Sequence, residues 1–65
     1  MYTLTQSTSK ELTNIGQFDS EELGLLAIAN HTRATEKHYF LTLWHDITGP
    51  RSIRHEIVYQ TRMIV

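Results

Sequence analysis

The chain has 65 residues, a net charge of −1 and no cysteine, and 40% of its residues are hydrophobic. A chain this short buries only about 60% of its unfolded surface, and without cysteine neither a disulfide nor a thiolate zinc site can compensate. The near-neutral charge excludes bulk attraction to nucleic acid or to an acidic membrane. With no long apolar run and no signal-peptide pattern at the N-terminus, the composition predicts one folded cytoplasmic domain over residues 1–65, with no membrane segment.

Two short strands are predicted before the first helix. Tyr2 and Leu4 alternate with threonines, which is typical of a half-buried strand. Residues 11–18 form a second candidate strand, and the polar run 6–10 separates the two as a turn. These features predict a hairpin at the start of the chain.

The clearest signal is a helix start at Asp19, whose carboxylate can accept from the free amides of the first turn while Glu22 reaches back. Phe18 and Leu23 occupy the positions of a hydrophobic staple around that cap. We expect the helix to end near His31 or Thr32. Four residues at helical spacing predict an apolar stripe on the helix, and three further apolar residues make that stripe wider. The four are Leu23, Leu26, Ala27 and Asn30, and the three are Leu25, Ile28 and Ala29.

A long hairpin is predicted after the polar connector 32–37. The period becomes two, so that Tyr39, Leu41 and Leu43 lie on one face while Phe40, Thr42 and Trp44 lie on the other. Residues 46–52 are rich in turn formers and include Pro50, which predicts the loop. In the second arm, 53–65, alternation predicts one apolar face, formed by Ile53, Ile57, Tyr59, Met63 and Val65, and one polar face, formed by Arg54, Glu56, Gln60 and Arg62.

The order of these elements predicts the fold class. It is α+β, with a mainly antiparallel sheet in ββαββ order and one amphipathic helix packed on one face. No internal repeat or linker indicates a second domain.

Four histidines raise the question of a metal site. If the hairpin pairs Leu43 with Ile57, then His45 faces His55 across the strands; if Leu43 pairs with His55, that pair is lost. The chain has no HExxH or CxxC spacing. We therefore predict no metal and no cofactor, and His45 and His55 remain weak candidates.

Catalytic motifs are weaker still. Ser7 to Lys10 matches an SxxK pattern by chance, and His45 and Asp46 are neighbours on a strand, so their side chains point to opposite faces. No glycine-rich phosphate loop is present. The expectation is a protein that is not an enzyme.

The hairpin face away from the helix is the predicted contact surface, because it would carry Phe40, Trp44, Val58 and Ile64. We expect a non-enzymatic protein-interaction module, a regulator or inhibitor in the size class of phage or mobile-element accessory proteins, that binds another protein or itself as a homodimer. An equally simple role for Trp44 is as core beneath the N-terminal hairpin. The alternative is a nucleic-acid-binding protein, since arginines beside aromatic residues can hold phosphates and stack bases. The predicted partner-binding residues are Phe40, Trp44, Arg54, Val58 and Arg62.

Overall fold

The structure is a computed structural model that describes residues 1–31 and 38–64, with Ile64 described by its backbone alone. It confirms the predicted ββαββ order. The predicted connector 32–37 and Val65 lie outside the described residues. The elements are β1 (Tyr2–Ser7), β2 (Leu12–Phe18), α1 (Glu21–Ala29), β3 (His38–Thr48) and β4 (Ile53–Ile64).

The four strands form one sheet in the order β2-β1-β3-β4, and every neighbouring pair is antiparallel. The helix packs on one face of this sheet against β1, β2 and β3. In the described part of the chain, β2 and β4 are the two edges. This α+β architecture is the predicted one, because alternating apolar residues need cover on one face of a sheet and a single helix supplies it.

The core lies between β1, β3 and the helix. Leu4, Leu41 and Leu43 are fully buried, and Tyr39 is buried beside them. The helix turns Gly24, Leu25, Ala27 and Ile28 toward this cluster.

The apolar stripe predicted for the helix is partly wrong. Leu23 is 50% exposed and Leu26 is 56% exposed, so these two residues face away from the sheet. The helix is apolar around almost its whole circumference, and spacing therefore cannot select the side that packs. Gly24 decides it, because a Cβ atom there would lie 2.6 Å from Cδ1 of Leu43. The helix approaches the sheet closely at the one residue that has no side chain.

Both helix ends differ from the prediction. Ser20 is the N-cap, and its hydroxyl accepts a hydrogen bond from the Leu23 amide at 3.2 Å. The cap is therefore one residue later than Asp19, which moves the staple positions away from Phe18 and Leu23. The helix ends at Ala29, and the amide of Asn30 closes the last turn on the Leu26 carbonyl at 3.0 Å.

The loop of the long hairpin is shorter than predicted. Strand β3 continues through Asp46 to Thr48, and the turn occupies only residues 49–52. The amide of Gly49 donates to the carbonyl of Ser52 at 2.8 Å, which closes the turn around Pro50. Asp46 and Thr48 favour turns, but here they belong to β3 because they pair with residues of β4.

A β-bulge at Val58 divides β4 into two parts. Leu43 pairs with Tyr59 whereas Trp44 pairs with Ile57, so Val58 is one extra residue in the ladder. Because side chains alternate with a period of two, the extra residue places the side chain of every earlier β4 residue on the face opposite to the one that unbroken alternation predicts. The predicted continuous alternation from Ile53 to Val65 is therefore wrong for the residues before Val58.

Candidate functional site: the open face of the sheet

The face of the sheet opposite the helix is covered by no helix or strand of residues 1–31 and 38–64. Directly paired residues on neighbouring strands have side chains on the same side, so the register assigns this face residue by residue. We call it the open face. Its members on the three strands β1, β3 and β4 include Thr3, Thr5, Ser7, His38, Phe40, Thr42, Trp44, Asp46, Thr48, Ile53, His55, Ile57, Gln60 and Arg62.

The open face carries large apolar side chains in contact with solvent. Phe40 is 43% exposed, Ile57 is 55% exposed and Ile53 is 59% exposed. Trp44 lies between them, partly buried, and pairs directly with Ile57 on the neighbouring strand. Its indole N–H donates to the hydroxyl of Thr5 at 2.9 Å. This hydrogen bond orients the ring, and Trp44 is only partly buried and lies outside the core cluster, so it is not core beneath the N-terminal hairpin.

A polar network stands beside the tryptophan. The hydroxyl of Thr3 donates to Oδ2 of Asp46 at 2.5 Å, and Nδ1 of His55 lies 2.7 Å from Oδ1 of the same carboxylate. The Thr3 hydrogen bond, more than the contact with His55, lowers the pKa of Asp46 below its ordinary value, while partial burial opposes it. Asp46 therefore stays ionised and holds β1 and β4 to β3.

These residues line a shallow groove of about 270 Å³ on the open face. The groove is lined by Thr3, Thr5, Leu12, Trp44, Asp46 and His55. The Thr3 hydroxyl and the His55 ring contact different oxygens of Asp46 rather than each other. Through this one carboxylate, side chains of β1, β3 and β4 are joined in a single network.

Three of the five predicted partner-binding residues lie together on the open face. Phe40 pairs directly with Arg62, and Trp44 lies on the same side of β3. The other two residues were also predicted on this face, and that prediction is wrong. Val58, the bulge residue, packs against the core, and Arg54 lies on the helix side of the sheet with Glu56, 3.2 Å away.

The exchange of faces at Val58 also separates the two arginines on which the nucleic-acid alternative depends. Arg54 and Arg62 are the only basic residues, other than histidine, in the described strands, and they lie on opposite sides of the sheet. One arginine, with the carboxylate of Asp46 on the same face, gives little attraction to a phosphate backbone.

The two weak metal candidates are not brought together. His45 pairs with Glu56 and His55 pairs with Asp46, so neither predicted register occurs. His45 lies on the helix side, where its ring stacks on Tyr2 with centroids 4.6 Å apart. Among the described residues, no group of three or more histidine, aspartate or glutamate side chains could hold a metal ion.

Sequence reasoning missed Ile57, Asp46 and Thr3 as members of this surface. Ile57 was assigned to the core side because nothing in the sequence signals a bulge at Val58. Asp46 was assigned to the loop because aspartate favours turns. The Thr3 hydroxyl joins Asp46 only through the pairing of β1 with β3, which is a long-range property of the fold.

Within the described ranges, no helix is both long enough and apolar enough to cross a membrane. Comparison of the chain with protein families, with curated proteins and with solved structures gives no match.

Proposed function

We propose that this protein is a non-enzymatic protein-interaction module that binds another protein through the open face. The observation that supports this proposal is the exposed apolar group formed by Phe40, Ile57 and Ile53 around Trp44. Small proteins seldom leave such residues together in water unless a partner covers them. Tryptophan and arginine are also the residue types that dominate the energetics of protein interfaces.

The partner has a defined chemistry. It presents apolar side chains to Trp44 and Ile57, and it presents a carboxylate to Arg62 beside Phe40. A hydrogen-bonding group would reach the rim of the groove at His55, whose side chain is 58% exposed. Because Trp44 is already fixed by Thr5, little rotamer entropy is lost when a partner binds.

The role that fits so small a binding surface is that of a regulator or inhibitor of a larger protein. We place this role in the cytoplasm, because a cysteine-free chain suits a reducing compartment. Size alone also supports an accessory protein of a phage or mobile element.

The test is affinity capture from the native host with quantitative mass spectrometry, after nuclease treatment of the lysate. Wild type is compared with Ile57→Ser and Phe40→Ala, which remove exposed apolar groups from the open face. We expect the same protein to be captured by wild type and to be lost, by about tenfold or more, with both variants. Circular dichroism establishes that each variant is folded.

Leu26→Ser is the matched control, because Leu26 is as exposed as Ile57 but lies on the outer side of the helix. This variant should capture the partner as well as wild type does. Equal loss in the control, or no loss in the two open-face variants, would contradict the proposal. Capture that disappears after nuclease treatment would favour the nucleic-acid alternative.

A further inference from the structure

The outer edge of β4 has no neighbouring strand in the described part of the chain. From Ile53 to Ile57 the strand is regular, since the turn ends before it and the bulge at Val58 follows it. All five residues of this stretch are exposed. A regular strand edge with free backbone groups is a template for another strand. We propose that the partner of this edge is a second copy of the chain, paired antiparallel with His55 opposite His55.

Charge complementarity selects this register. With a two-fold axis normal to the sheet at His55, Arg54 of each copy lies directly opposite Glu56 of the other. Both residues lie on the helix side of the sheet and both are more than half exposed, so two salt bridges form across the junction. Opposite charges that face each other across strands stabilise the pairing.

The other face of the junction is matched as well. Ile53 of each copy lies opposite Ile57 of the other, and both isoleucines are on the open face and more than half exposed. Registers centred on Arg54, Glu56 or Ile57 place neither the two charges nor the two isoleucines opposite each other. The five-residue stretch is therefore self-complementary in one register only.

Charged residues on an edge strand usually prevent pairing, and this is the simplest other role for Arg54 and Glu56. Charges of one sign would repel a second copy in any register. Here the two charges are opposite and only His55 lies between them, so an antiparallel copy centred on His55 places each charge opposite its complement.

The second edge of the sheet lacks these properties. Strand β2 is interrupted near its middle, where Leu4 pairs with Gly16 but Thr5 pairs with Asn14, which leaves Ile15 as an extra residue. Its residues Leu12 to Phe18 include no charged side chain. The β4 edge is the one that selects a second copy.

Pairing through β4 uses the edge of the sheet and partner binding uses its open face, and the two surfaces share Ile53, His55 and Ile57. Pairing through β4 would join two sheets into one continuous sheet, with Phe40 and Trp44 of both copies exposed on the same side. The dimer would thus present two copies of the open face to a partner. The inference does not depend on the proposed function, and its charge-reversal test uses Arg54 and Glu56, which lie on the helix side of the sheet.

The test is analytical ultracentrifugation of wild type, Arg54→Glu and Glu56→Arg, each alone and then the two variants mixed in equal amounts. Each variant alone places like charges opposite each other, so we expect its dissociation constant to rise by about tenfold or more. In the mixture, a chain with two acidic residues meets a chain with two basic ones, and dimers should return. The contact between residues 54 and 56 within one chain is broken in both variants, so it cannot explain the recovery.

A cysteine at the axis tests the register. The chain has no cysteine, and His55→Cys places one residue from each copy about 5 Å apart, so that an oxidant should cross-link them rapidly. Arg62→Cys is the control, because in this register its symmetry mate is roughly 40 Å away. A monomeric wild type, a mixture that stays monomeric, or equal cross-linking of both cysteine variants would overturn the inference.

Discussion

Gly24 determines how closely the helix can approach the sheet. A Cβ atom at this position would lie 2.6 Å from Cδ1 and 2.8 Å from Cδ2 of Leu43, which is fully buried. The neighbouring side chain therefore has no free space into which it can move. This contact explains why the helix packs with Gly24 inward and leaves Leu23 and Leu26 outside.

Gly24→Ala should lower the free energy of unfolding by about 1 kcal/mol, because overpacking costs about 1–3 kcal/mol and the gain in helix propensity offsets about 1 kcal/mol. Urea denaturation measures the change. Gly16→Ala is the control, since a Cβ atom there would have its nearest contact at an ordinary 3.5 Å from Phe18. A stabilised Gly24→Ala variant would disprove the close contact with Leu43.

Asp46 is the residue whose ionisation links three strands. The pKa of its carboxyl group is lowered, first by the Thr3 hydroxyl and less by His55. A carboxyl group with a lowered pKa stabilises the fold above its unfolded pKa, about 3.9, and this contribution disappears as the pH falls through the folded pKa. The network is therefore expected to contribute at neutral pH and to vanish in acid.

Thr3→Val should raise the pKa of Asp46 toward its ordinary value, as measured by NMR titration of the carboxyl carbon. It should also be less stable than wild type at pH 7, and the difference should narrow below about pH 4. Thr13→Val is the control, because Thr13 is exposed on β2 and pairs with Gln6 rather than near Asp46. An unchanged pKa in Thr3→Val would mean that the hydroxyl does not bind the carboxylate.

Among the secondary-structure elements, the start of the helix shows how far local sequence rules can predict an N-cap. The sequence contains two adjacent residues that can cap a helix, Asp19 and Ser20, and both types are strong N-caps. In the structure the Ser20 hydroxyl accepts from the Leu23 amide. The choice between neighbours depends on where the chain leaves β2, which a local pattern does not contain.

Ser20→Ala should lower the free energy of unfolding by about 1 kcal/mol through loss of the cap. Asp19→Ala should lower it by only about a few tenths of a kcal/mol, through the interaction of its charge with the helix dipole. Thermal and urea denaturation of the two variants give the comparison. A larger loss of unfolding free energy for Asp19→Ala would mean that Asp19, the residue that the sequence pattern favoured, is the N-cap.

The existence and type of every element could be predicted from the sequence, whereas the side on which some residues lie could not. Alternation from Tyr39 to Trp44 was sufficient for β3, because its two faces differ in burial. For β4, the bulge at Val58 changes faces without a change in composition. The helix has the same problem, because apolar residues surround it. The face of the sheet was therefore predicted correctly for Phe40, Trp44 and Arg62, and wrongly for Arg54 and Val58.

The whole molecule is flat and elongated, with extents of 41 × 25 × 15 Å. The hairpin of β3 and β4 has strands of 11 and 12 residues, whereas β1 and β2 have 6 and 7. The helix covers only one face and does not reach β4. A molecule of this shape has a small core for its surface, and partners on the open face and on the β4 edge would both add burial.

The proposed partner-binding surface depends on the exchange of faces at Val58. A nuclear Overhauser spectrum of the folded protein tests it most directly, because directly paired side chains lie within about 5 Å of each other. We predict cross-peaks between the Trp44 indole and the methyl groups of Ile57, together with cross-peaks between Val58 and the leucines of the core. Cross-peaks from Trp44 to Val58, with Ile57 against the core leucines, would contradict the account.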